Sequence, residues 1–183
     1  MRPGVQGGEV EVKKSVLVPV VLSLTVMMAG SLAAQEKRVD PVNWRELVTF
    51  LVDLPGYEAD KPEGATTSMA EFKMSQASRN YRKGDLGIEI QVLDGGFFPG
   101  AYASYKAMEN FEIDTSEQLA RKITIQGFPG IETIDYGDKT AMLMLLVGDR
   151  FLLTVKGEPL SDSAGLKEIV GRLDLNKLAA LGK

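Results

Sequence analysis

Histidine and cysteine are both missing from this 183-residue chain. Without histidine, Ser-His-Asp catalysis, Cys-His catalysis and His-ligated zinc are excluded. Without cysteine there is no disulfide, thiolate nucleophile, iron–sulfur cluster or acylated-cysteine anchor. Aromatics make up only 7%, and 21 basic residues face 25 acidic ones for a formal net charge of −4. No basic block interleaves with aromatics, so the electrostatic footprint of a nucleic-acid binder is absent. The chemistry left would rest on carboxylates, Lys, Tyr, Ser or Thr. No cofactor is implied, and a metal would have to be a hard cation on oxygen ligands.

What is present reads as a globular protein: 44% hydrophobic and 25% charged. Near the N-terminus, Lys13 and Lys14 precede an apolar run from Ser15 to Gly30, followed by Ser31-Leu32-Ala33-Ala34. This is the basic, apolar, small-x-small order of a secretory signal peptide over 1–33, with cleavage after Ala33. The competing reading is an uncleaved membrane anchor, since Ser15 to Ala34 is about long enough to span a bilayer; Pro19, Ser23 and Gly30 interrupt it. A periplasmic or secreted protein follows, with 34–42 as a flexible lead-in and 43–182 as a single α+β domain. With the leader removed, no stable membrane span is expected.

The domain is organised around Ile123–Gly157, where Gly-Phe-Pro-Gly, Gly-Asp-Lys and Gly-Asp-Arg punctuate apolar segments at hairpin spacing. Ala141–Val147 has no polar residue on either face, which predicts a strand covered on both sides. Upstream, Asn43 with Glu46 forms a capping-box-like pair, and Trp44, Leu47, Val48 and Leu51 make a helical stripe that Leu54-Pro55-Gly56 stops. Residues 60–67 read as loop. Ala70, Phe72 and Met74 open a strand that turns at Lys83-Gly84-Asp85, with a bulge near Ala77 where the alternation loses phase. Leu86, Ile88, Ile90 and Val92 define the return strand. Pro99 starts a second helix to about Phe111, and Asp114 with Glu117 caps a further turn. After the strand block, Ser161-Asp162-Ser163 opens a last helix, and Asp174 caps one more turn.

The expected fold is therefore a mostly antiparallel sheet of about six strands with helices on both faces, an α/β/α sandwich. The hairpin at 68–94 and the one around Gly148-Asp149, in this element order, resemble the Mog1/PsbP-like fold of exported bacterial proteins. That resemblance implies an accessory or binding protein rather than an enzyme.

Two candidate binding regions stand out. One is the loop Asp94-Gly-Gly-Phe-Phe-Pro-Gly with Phe97, Phe98, Tyr102 and Tyr105, an aromatic rim for a ligand or partner. The other is the basic cluster Arg79, Tyr81 and Arg82 next to Lys83, with Arg79 and Tyr81 on one strand face. Each also has a plainer reading, as core closure and as a charged strand end. The acids Asp94, Glu112, Asp114, Asp135, Asp138 and Asp149 lack the spacing of a cation loop, and Asp138 and Asp149 occupy ordinary turn positions. The leading expectation is an exported, non-catalytic accessory or binding protein for a protein or small-molecule partner. A carboxylate- and tyrosine-based hydrolase is the alternative, and a homo-oligomeric structural subunit is the third reading.

Overall fold

The computed structural model describes residues 40–69, 72–95, 111–148 and 150–182, which belong to one compact unit spanning 36–183. The expected signal peptide, the start of the lead-in and the expected helix after Pro99 lie outside the described residues.

The first described element is α1 (Trp44–Val48), where the Asn43 side chain accepts a hydrogen bond from the Arg45 N–H. Strands β1 (Glu58–Ala59), β2 (Glu63–Met69), β3 (Phe72–Lys83) and β4 (Leu86–Gly95) follow. Then come β5 (Glu112–Asp114), β6 (Gln118–Ile125), β7 (Phe128–Asp135), β8 (Thr140–Val147) and β9 (Phe151–Glu158). Two helices close the chain, α2 (Ala164–Arg172) and α3 (Leu175–Ala180). The Asp174 side chain caps α3 by accepting from the Lys177 N–H at 2.9 Å. All pairings are antiparallel, and the nine strands form one sheet in the order β1-β3-β4-β9-β8-β7-β6-β5, with β2 on the same side of β3 as β1.

The sequence-based fold needs correction on two points. The sheet has nine strands rather than about six, and the three described helices lie on one face instead of both. A single core joins Leu47 of α1, Leu166, Ile169 and Val170 of α2, and Leu175 and Leu178 of α3 to one parity of the strands. That parity is Ala77 and Tyr81, Ile88 to Val92, Leu143 to Val147, and Phe151 to Val155. On the other face of β8, Met142 and Met144 are only half-buried, although Leu146 is buried. An apolar side chain tolerates partial exposure, so a doubly apolar strand does not oblige a second layer.

Smaller differences share a cause. Residues 63–69 form an edge strand rather than loop because β3 supplies their pairing partner, in register from Glu63↔Ser78 to Met69↔Phe72. The β3–β4 register runs unbroken from Met74↔Gly95 to Lys83↔Leu86, so there is no bulge at Ala77. Asp114 ends β5 instead of capping a helical turn, and the Thr115 hydroxyl accepts from the N–H groups of Glu117 and Gln118. At the β6–β7 tip, Gln126 and Gly127 both have positive φ, as a two-residue hairpin turn requires. The Gln126 amide there donates to the carbonyls of Val170 and Leu173 at the end of α2.

Candidate functional site

Three charged centres sit at known heights in this sheet. Two are closed and one is open.

The first closed centre is Asp94, at the end of β4. Its buried carboxylate accepts Arg150 Nε at 2.9 Å, Arg150 Nη2 at 2.8 Å and the Val42 N–H at 2.7 Å. Arg150 also donates to the carbonyls of Gly182 and Asp40. Asp94 is thus the anchor of a clasp that joins both ends of the described chain to the sheet.

The second is Glu132 on β7, which shares the core-facing parity with Ile134 and is 1% exposed. Its carboxylate takes hydrogen bonds from the Ser163 hydroxyl, from Arg121 Nε at 2.8 Å and from Lys167 Nζ at 2.9 and 3.0 Å. Burial pushes its pKa up, but these hydrogen bonds and the Lys167 charge outweigh it, and the carboxyl is held below its ordinary range. The same contact raises the pKa of Arg121. Ser163 stands at the N-cap of α2 yet makes no side-chain cap bond, because its hydroxyl serves Glu132. The Asp162 carboxylate takes the Ala164 N–H in its place.

The expected basic cluster divides between the two faces. Arg79 and Tyr81 do share a face, and it is the core face. Arg79 donates to the Leu51 and Asp60 carbonyls and to the Asp53 carboxylate. Tyr81 is fully buried, with its hydroxyl donating to the Val52 carbonyl at 2.9 Å. Both fasten the 51–60 segment rather than meeting solvent. Arg82, of opposite parity, is exposed. Phe97, Phe98, Tyr102 and Tyr105 lie outside the described residues.

Arg82 belongs to the open centre, a groove of about 300 Å³ across β3, β4 and β9. Arg82, Gly87 and Glu158 form one row of the sheet, and Asn80, Glu89 and Lys156 the next. Gly87 leaves a gap in the first row: a Cβ there would meet only the Glu158 carbonyl, at 3.7 Å. Around this gap stand Asp60, Asn80, Arg82, Glu89, Lys156 and Glu158. Arg82 pairs with Asp60 at 2.7 Å and Lys156 with Glu158 at 3.2 Å. All four side chains are more than two-fifths exposed, so each pair is worth at most about 1 kcal/mol and exchanges readily. Glu89 is exposed and forms no ion pair among the described residues.

Among the described residues no buried side-chain nitrogen or oxygen lacks a hydrogen-bond partner, and no group of three acidic side chains is placed to hold a metal ion. No helix among them is long and apolar enough to cross a membrane. The signal for Glu132 was present in the sequence as a charge in phase with Gly130 and Ile134, on the parity that packs inward. The groove had no such signal, because it is assembled from three strands far apart in the chain. No protein-family model, curated protein or solved structure matches this chain.

Proposed function

We propose that this chain is an exported, non-catalytic binding protein that takes a charged partner in the groove over Gly87. The supporting observation is a contrast between buried and open charge. Asp94, Glu132 and Arg79 are each engaged by several groups of the same fold, while the exposed pairs around Gly87 cost little to open. Three carboxylates (Asp60, Glu89, Glu158) against two cations (Arg82, Lys156) bias the groove toward a basic group on the partner. Export rests on the Lys13–Ala34 leader pattern.

The test is an amide NMR titration with short peptides bearing lysine or glutamate. Lysine peptides should shift residues 80–89 and 156–158, and Gly87→Leu, which fills the gap, should abolish the shifts. Silence with both peptides, or equal shifts in the Gly87→Leu protein, refutes the groove. Mass spectrometry of the exported chain should find an N-terminus at Ala34; a retained leader would make it a membrane-anchored protein.

A further inference from the structure

The sheet treats its two edges differently. One edge, β5, has three residues, two of them carboxylates, which is how exposed edges are usually protected from pairing. The other is formed by β1 and β2, both paired to β3. β2 runs for seven residues, Glu63-Gly-Ala-Thr-Thr-Ser-Met69, with no lysine, arginine or proline and no charge after Glu63. Among the described residues no strand pairs its outer side.

This edge is also held firm. The Thr66 hydroxyl lies 2.6 Å from that of Ser75 and accepts the Trp44 N–H at 3.2 Å. The Trp44 ring rests on Gly64, where a Cβ would come within 2.8 Å of it. The outer hydrogen-bonding groups of β2 are therefore presented in a fixed, extended register. Met69, at 61% exposure, is the most exposed large apolar side chain described.

We infer that β2 is a docking edge for a second copy of this chain, pairing antiparallel with its own counterpart about a two-fold axis. An antiparallel strand is its own complement under such an axis. Only residues of the same parity point their backbone groups outward, so the axis must pass through a residue rather than between two. Centred on Thr66, it matches all seven residues of β2 to all seven of its mate. Thr66 then faces Thr66, Ala65 faces Thr67, Gly64 faces Ser68 and Glu63 faces Met69, with no like charges opposed. Seven paired residues bury less than a standard interface, so association is sought at high protein concentration, on the order of tens to hundreds of micromolar. This inference does not rest on the groove, whose lining reaches Asp60 but none of the residues of β2.

Sedimentation velocity over that concentration range tests it. The wild-type chain should show a monomer–dimer equilibrium. Ala65→Lys with Thr67→Lys opposes lysines twice and should weaken association at least tenfold. Ala65→Lys with Thr67→Glu restores opposite charges at the same positions and should recover it. A wild-type chain monomeric throughout, a dimer indifferent to the double-lysine change, or no recovery with the Lys/Glu pair each overturns the inference. Hydrogen exchange on the wild type alone gives a second reading. Amides of 64–69 should become protected as concentration rises, and unchanged exchange there also overturns it.

Discussion

Arg150 grips both oxygens of Asp94, a residue 56 positions earlier in the chain, with Nε at 2.9 Å and Nη2 at 2.8 Å. The remaining guanidinium donors reach the Gly182 and Asp40 carbonyls, so one side chain ties β4, the start of β9 and both ends of the described chain. The fork geometry suits a carboxylate in a way a lysine ammonium cannot reproduce. Arg150→Met leaves Asp94 buried with only the Val42 N–H, and should cost about 3–5 kcal/mol in chemical denaturation. Arg150→Lys should fall between. The double change Arg150→Met with Asp94→Asn should be less destabilised than Arg150→Met alone. A loss under about 1 kcal/mol in Arg150→Met would mean that the clasp is not integral to the fold.

Glu132 makes stability depend on acid. Its pKa is lowered in the folded state from an ordinary value of 4.5, so the folded protein holds this proton more weakly than the unfolded chain does. The contribution is present above that ordinary value and is lost as pH falls through the folded one. Glu132→Gln removes the titration. The variant should be about 1–3 kcal/mol less stable than wild type at pH 7, and the gap should narrow steadily as the solution is acidified below 4.5. Parallel curves from neutral to acid pH would remove Glu132 as their source.

Much of the local structure was legible because it is written in short-range grammar. Asn43 and Asp174 cap the helices they were expected to cap. The turn at Lys83-Gly84-Asp85 also joins the expected strands. What depends on partners distant in sequence was not legible. β2 has no apolar alternation, since at the edge it needs only pairing with β3 and the Trp44 ring over Gly64. Period-two reading placed Arg79 and Tyr81 on one face but could not say which face turns inward, because parity carries no sign. Once α1 and the 51–60 segment cover that face, Arg79 and Tyr81 become fasteners, and Arg82 and Lys83 are left in the open.

Tyr81 should govern the alkaline limb of the stability curve. Burial raises its pKa above 10.0, with Asp53 adding to the rise, while the charge and hydrogen bonding of Arg79 oppose it. The unfolded chain therefore loses this proton first, and the contribution, intact below pH 10.0, is lost as pH rises through the folded value. Tyr81→Phe strands the Val52 carbonyl and should cost about 1 kcal/mol at neutral pH. Above pH 10.0 its melting temperature should fall less steeply than that of the wild type. Identical slopes for the two proteins would show that the phenol does not titrate with unfolding.

Gly64 couples the edge strand to the only tryptophan in the chain. A methyl group there would sit 2.7 Å from the Gln76 carbonyl and 2.8 Å from Trp44 Cε3. The ring can turn away from the second contact, but the first is to backbone, so β2 itself has to shift against β3 as well. Gly64→Ala should cost about 1–3 kcal/mol as overpacking and shift Trp44 emission to the red as the indole meets more water. Gly165→Ala, where a Cβ meets nothing within 4 Å, should leave the emission unchanged and hold or slightly raise stability on the helix α2. If Gly64→Ala kept the wild-type spectrum and melting temperature, the Trp44 ring could not be resting on this strand. The stiffness argued for the β2 edge would then have to come from the Thr66–Ser75 hydroxyl pair alone.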